Sequence, residues 1–93
     1  MSVSLSTHAR VRMQQRGISP QALELLLDLG HTAPAPGGRQ VVFVERAERK
    51  ELGRRAKRIP GRDRLKRLYA VTDAHGTVVT VGHRYRRLAR AVR

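Results

Sequence analysis

Residues 18–30, ISPQALELLLDLG, carry the start, the apolar body and the end of a helix within one short stretch. Ser19 is a preferred N-cap residue, and Pro20 follows at the first helical position, where its missing N–H is harmless. Gly30 is a natural stop after the leucines. These leucines spread over a broad face, so the helix has to be buried against a wide apolar surface. A sheet supplies such a surface, and the rest of the chain must therefore provide strands.

Another helix is predicted directly before this one. Its pattern covers residues 7–16, with Ser6 or Thr7 as the N-cap and Gly17 at its end. The connection between the two helices is short, which predicts that they form an αα-hairpin.

Strand signals follow the helices. Residues 40–45, QVVFVE, are rich in β-branched side chains. Residues 65–73 and 77–85 predict two further strands joined by a tight hairpin at the AHG sequence. Residues 31–39 contain two prolines and a Gly-Gly pair, and they predict a loop. Strict alternation in the last strand gives one face with Thr77, Val79, Val81, His83 and Tyr85. The other face then carries Val78, Thr80, Gly82 and Arg84.

Residues 46–62 form a basic segment with helical propensity and few apolar side chains, so we expect it to be partly helical or mobile. Residues 86–93 are predicted to be a basic tail. The chain of 93 residues is expected to be one domain, 1–93, of the α+β class. Its expected order is α-α-β-(α)-β-β, with two N-terminal helices packed on a small antiparallel sheet.

Net charge narrows the expected partners. Twenty Lys and Arg against seven Asp and Glu give +13, and the excess is concentrated in residues 46–67 and 84–93. A field of this sign attracts polyanions, so RNA is the expected partner, with an acidic protein such as an antitoxin or inhibitor as the alternative. The chain has no cysteine, which excludes disulfides and a cysteine nucleophile. No metal or other cofactor is expected, because the histidines lack ligand spacing.

The expected location is the cytoplasm. No stretch of the chain reaches the roughly 18 apolar residues of a membrane span. The first ten residues also lack the basic-then-apolar order of a secretory signal. We therefore expect a soluble protein that does not interact with membranes.

Residues 8–18, HARVRMQQRGI, place His8, Arg12 and Arg16 at steps of four, so the three side chains share one helix face. Ala9 and Met13 are expected to face the core. Stacked positive groups with no acid among them disfavour an isolated helix. This face is therefore either a solvated basic surface or a surface that contacts phosphate.

Two histidines with nearby arginines are sufficient for metal-free RNA cleavage. One imidazole takes the proton of the 2′-OH, and the other protonates the leaving 5′-oxygen. We predict that His8 and His83 fill these roles, that Arg12 stabilises the charge on the phosphorane and that Thr80 orients the substrate. Alternatively, His8 only ties its helix to the sheet. His31 and His75 are expected to be turn or surface residues. The predicted nucleic-acid contacts are Arg16, Lys66, Arg67, Arg84, Arg86 and Arg87.

A non-catalytic RNA-binding module is the alternative to an enzyme. The second helix has two acids and no basic residue, so it is a poor recognition helix for DNA. The aromatic residues Phe43, Tyr69 and Tyr85 are few, which counts against a platform for base stacking.

The segments HARVRMQQRGIS and YAVTDAHGTVVTVGH resemble small bacterial proteins of the domain-of-unknown-function family 4258. The likeness covers residues 7–30 and 65–83. That family is similar to RelE-like toxins and to the barnase–EndoU–colicin–RelE class of metal-independent ribonucleases. The resemblance implies a RelE-like fold, toxin activity on RNA and an antitoxin partner. It places His8, Arg12 and Arg16 in the family's first-helix motif, and Thr80 in its last strand.

Overall fold

The computed structural model describes residues 3–84. The helices are α1 (Thr7–Arg16), α2 (Pro20–Leu29) and α3 (Arg49–Arg55), with 3₁₀ helices at Arg46–Glu48 and Arg62–Arg67. The strands are β1 (His31–Ala35), β2 (Arg39–Phe43), β3 (Leu68–Thr72) and β4 (Val78–His83). They form one antiparallel sheet in the order β1-β2-β3-β4. Two N-terminal helices therefore precede an antiparallel sheet, and the predicted α+β class is confirmed. In residues 3–84 no helix has the length and apolar content to cross a bilayer.

Both N-terminal helices begin and end where their capping residues predict. The Ser6 hydroxyl accepts a hydrogen bond from the Ala9 backbone N–H at 3.0 Å, so Ser6 rather than Thr7 is the cap. Ser19 does the same for α2. Gly17 ends α1 in the left-handed conformation, with φ of 64°.

The apolar core lies between these helices and one face of the sheet. Ala9 and Met13 of α1 are buried, as the four-residue spacing predicts. The largest side chains with less than 2% of their surface exposed are Leu23, Leu26, Leu68, Val44, Val78 and Val81. They come from α2, from the two strands β3 and β4, and from the chain following β2, so the broad leucine face of α2 is buried as expected.

The prediction of a loop over residues 31–39 is wrong. Residues His31–Ala35 form β1 and pair with β2, with Pro34 opposite Gln40. A proline is tolerated there because β1 is an edge strand. On the outer side of an edge strand there is no neighbouring strand that would need the N–H that proline lacks. Gly37 and Gly38, with φ of 79° and 72°, make the turn of the hairpin.

The prediction that a strand begins at residue 65 is also wrong, because β3 begins at Leu68. Lys66 and Arg67 lie instead in the preceding 3₁₀ helix. One 3₁₀ turn brings Leu65 and Leu68 to the same side, and both are buried. Lys66 and Arg67 are consequently left exposed. The basic segment 46–62 is partly helical, as expected.

Strict alternation along β4 fails at one point. Val71 pairs with Thr80, whereas Thr72 pairs with Val78, so the register skips Val79. This irregularity puts Val78 and Val81 on the same, buried face. The predicted assignment of Val78 to the face opposite Val81 is therefore incorrect.

Candidate nucleic-acid interface

The direction of α1 along the sheet decides which predicted site residues meet. The Ser6 N–H donates to the Val78 carbonyl, and the Val78 N–H donates to the Ser4 carbonyl, each at 2.9 Å. The Ser6 hydroxyl also donates to the Val79 carbonyl at 3.1 Å. These bonds fix the beginning of α1 at the beginning of β4, and α1 then packs along β4.

The far ends of α1 and β4 form a positively charged cluster. Its members are His83 of β4, Arg16 from the last turn of α1, and Arg64 and Arg67 from the 3₁₀ helix; we call this the His83 cluster. The Arg64 guanidinium lies beside the end of α1, since its Nη2 would be 3.6 Å from a Cβ added at Gly17.

His83 has a lowered pKa in this cluster. Partial burial of the ring is the largest cause, because it penalises the charged imidazolium. The positive charges of Arg64, Arg16 and Arg67 lower the pKa of His83 further. At neutral pH the imidazole is therefore uncharged, and one ring nitrogen can accept a proton.

No carboxylate is ion-paired with the cluster within residues 3–84. The ion pairs there join Arg55 to Asp28, Arg54 to Glu51, and His31 to Glu45 and Glu48. Arg16, Arg64 and Arg67 are exposed. Three uncompensated guanidinium groups at one corner of the molecule form a surface that favours anions.

His8 lies far from this cluster. It belongs to the first turn of α1, eight residues before Arg16, and a helix rises about 12 Å over that length. Its ring nitrogen Nε2 accepts a hydrogen bond from Arg12 Nε at 3.4 Å, within the same helix. The structure therefore does not bring His8 and His83 together as an acid–base pair, and the hydrogen bond that His8 accepts lies within α1 rather than between α1 and the sheet.

Thr80 and Arg12 do not join His83 either. His83 pairs with Leu68, which faces the helices. Thr80 pairs with Val71, which is three residues further along β3 and faces the other side of the sheet. Thr80 and His83 are thus on opposite faces. Arg12 is part-buried in the middle of α1, next to His8. Of the predicted catalytic residues, only His83 belongs to the cluster.

Arg84 has a structural role in addition to its predicted role as a nucleic-acid contact. Its Nη2 donates to the Val44 carbonyl at 2.8 Å and approaches the Lys66 carbonyl at 3.4 Å. Its guanidinium carbon is 5.3 Å from the centre of the Phe43 ring. Burial lowers the pKa of Arg84, although its charge persists in the neutral range. The predicted contacts Arg86 and Arg87 lie outside the described residues.

Arg64 and the carboxylate partners of His31 were not predicted from the sequence. Arg64 is the missed member of the His83 cluster; its spacing from Arg67 equals one 3₁₀ turn, which is the signal that could have revealed it. His31 is exposed, as expected, but it lies on β1 rather than in a turn. Its Nε2 is 2.7 Å from Glu48 Oε1, and its Nδ1 is 3.8 Å from Glu45 Oε1.

Two other features of residues 3–84 bear on ligand chemistry. No group of three or more histidine or carboxylate side chains in this part is arranged to hold a metal ion. A groove of about 470 Å³ lies against α2, and its lining includes Glu24, Asp28 and the apolar Leu25. Because this groove contains two carboxylates, it is a poor site for phosphate.

Comparison of the chain with models of known protein families, with curated proteins and with solved structures finds no match. The family resemblance therefore stays a prediction.

Proposed function

We propose that this protein binds RNA through the His83 cluster. The observation that supports this proposal is the convergence of Arg16, Arg64 and Arg67 around His83, with no carboxylate ion-paired to them within residues 3–84. Guanidinium groups match the geometry of phosphate oxygens, and a chain of net charge +13 attracts a polyanion over long range.

RNA is a better candidate than duplex DNA for two reasons. The helix that would have to enter a major groove, α2, is largely buried against the sheet and carries Glu24 and Asp28. The predicted resemblance of the first helix and the last hairpin to a family similar to ribonucleases also favours RNA, and it stays a prediction because no family model matches the chain.

The direct test is fluorescence anisotropy with a short labelled single-stranded RNA. We expect binding that weakens by about ten-fold or more between about 50 and 200 mM salt, because phosphate contacts release counterions. Poly-glutamate serves as a competitor with carboxylate charge. RNA binding that does not change with salt concentration would contradict the proposal. A preference for poly-glutamate over RNA would also contradict it and would instead favour an acidic protein partner.

Cleavage of the bound RNA is a second candidate function, favoured by the neutral His83 imidazole among three arginines. His83 accepts the proton of the 2′-OH while the 2′-oxygen forms a bond to phosphorus. The bond from phosphorus to the 5′-oxygen breaks, and that oxygen takes up a proton from the imidazolium or from water. The arginines stabilise the charge on the phosphorane, and the products carry a 2′,3′-cyclic phosphate and a 5′-OH. An acidic protein that covered the cluster would inhibit such a toxin.

The pH profile of cleavage distinguishes this candidate from binding alone. Because the imidazole must be neutral to accept a proton, kcat/KM should fall as the pH drops through the lowered pKa of His83. The midpoint should lie below the pH at which an ordinary histidine titrates. His83→Ala should reduce cleavage by 10²-fold or more, whereas His8→Ala should leave it nearly unchanged.

The rate should also survive a chelator. Loss of cleavage with EDTA, or equal rates for His83→Ala and the unsubstituted protein, would eliminate this mechanism and leave binding alone.

A further inference from the structure

The sheet has a second face, directed away from α1 and α2. Along β3, Leu68 and Ala70 are buried among the helices, so the alternating residues Tyr69 and Val71 lie on the opposite face. Phe43 of β2 is the register partner of Tyr69, so the two aromatic residues are neighbours across the strands on this face.

Tyr69 also extends over the neighbouring strand β4. A Cβ added at Gly82, its register partner, would lie 3.0 Å from Tyr69 Cε1 and Oη, and 3.1 Å from Cζ. The phenol end of the ring therefore lies over the β4 backbone, in space that only a glycine leaves open. Phe43 is 4% exposed beneath Arg84, whereas Tyr69 is only part-buried. Of the two rings, Tyr69 is thus the one that a ligand can reach.

This ring lies at the same end of the sheet as the His83 cluster. Gly82 directly precedes His83, and Arg67, the last residue of the 3₁₀ helix, is two residues before Tyr69, so their Cα atoms are at most about 7 Å apart. The Arg84 N–H donates to the Arg67 carbonyl at 2.8 Å, which holds these two segments together. His83 faces the helices and Tyr69 faces the other side of the sheet, so the phosphate-binding surface and the aromatic surface meet only around the ends of β3 and β4, next to Arg67.

We propose that Tyr69 stacks on a base of single-stranded RNA whose phosphates are held by the His83 cluster. This inference rests on the RNA binding proposed above, and it adds the class of substrate. In a duplex each base is already stacked and paired, so its face is not accessible to Tyr69. Aromatic stacking tolerates any base, so this contact selects unpaired RNA without selecting a sequence. The small number of aromatic residues does not exclude this, because one ring at the right place provides one stacking site.

The test compares Tyr69→Ala, Tyr69→Leu and Tyr69→Phe in anisotropy measurements. The probes are single-stranded RNA, duplex RNA and an abasic oligoribonucleotide of equal length. Tyr69→Ala and Tyr69→Leu should weaken binding of single-stranded RNA by about five- to hundred-fold, whereas Tyr69→Phe should stay close to the unsubstituted protein. Tyr69→Leu keeps an apolar side chain on the sheet, so it separates stacking from loss of packing. Thermal melting shows that each variant is folded.

The abasic strand separates this inference from the proposal on which it rests. It has phosphates but no bases, so its affinity should be the same for all four proteins. If the unsubstituted protein fails to bind the abasic strand and single-stranded RNA alike, the RNA-binding proposal itself fails. If Tyr69→Leu binds single-stranded RNA as tightly as Tyr69→Phe does, RNA binding stands and stacking on Tyr69 is overturned. A preference for duplex over single-stranded RNA would also overturn it.

Discussion

Gly30→Ala is expected to destabilise the fold by about 2 to 3 kcal/mol, through crowding between α2 and β2. A Cβ at this position would lie 2.6 Å from the Leu26 carbonyl oxygen and 2.7 Å from Val42 Cγ1. Gly30 has φ of −74° and ψ of 156°, which alanine adopts freely, so the cost comes from space rather than from backbone strain. The Gly30 N–H donates to the same Leu26 carbonyl at 2.7 Å. A shift that moved the added Cβ away from this carbonyl would therefore weaken the hydrogen bond at the end of α2.

Circular dichroism during heating or urea titration measures this effect. A loss of 2 to 3 kcal/mol should lower the Tm of a domain of this size by about 10 to 20 °C. Gly53→Ala is the matched control, because Gly53 lies inside α3 and nothing is within 4 Å of its added Cβ. That variant should gain about 0.5 to 1 kcal/mol, since alanine favours a helix more than glycine does. Equal Tm values for the two variants would contradict the close approach of α2 to β2.

The helices could be predicted from the sequence because their signals are local. Ser19 caps α2 through a backbone N–H only three residues away, and Gly17 ends α1 with its own left-handed conformation. Nothing distant has to be known for either. The spacing of Ala9 and Met13 likewise indicates the inner face of α1 without reference to what covers it.

Strand β1 and the skipped residue in β4 could not be predicted in this way. Pro34 is compatible with a strand only because β1 is at the edge of the sheet, and edge position is a property of the whole topology. The register skip at Val79 depends on how β4 pairs with β3. Period-two alternation contains no information about such an irregularity.

The candidate site also has a part that local sequence predicts and a part that depends on long-range pairing. Arg16 and His83 were both predicted as functional residues, one from a helix motif and one from its chemistry. Whether His83 meets His8 or Arg16 depends on the direction in which α1 crosses β4. That direction is set by the pairing of Ser4 and Ser6 with Val78, more than 70 residues apart in the chain. Long-range pairing of this kind leaves no trace in local spacing, so the sequence alone does not show which residues lie beside His83.

The triple substitution Arg16→Gln, Arg64→Gln and Arg67→Gln should weaken RNA binding by about 100-fold, because it removes the charge-assisted contacts of the His83 cluster together. Glutamine keeps much of the side-chain length and can still hydrogen-bond, so the loss reports mainly on charge. The slope of log Kd against log salt should also fall by about 2, since each phosphate contact on a single strand contributes about 0.7. Anisotropy across a salt series measures both quantities.

The control removes three positive charges from elsewhere, with Arg10→Gln, Arg46→Gln and Arg58→Gln. These side chains are exposed and do not contribute to the lowered pKa of His83, so the long-range field weakens while the cluster stays intact. A decrease of only a few-fold is expected for this variant. If both triple variants lose affinity equally, RNA responds to net charge alone, and the His83 cluster is not a binding site. If only the cluster variant loses affinity and salt slope, the phosphates contact these three arginines directly.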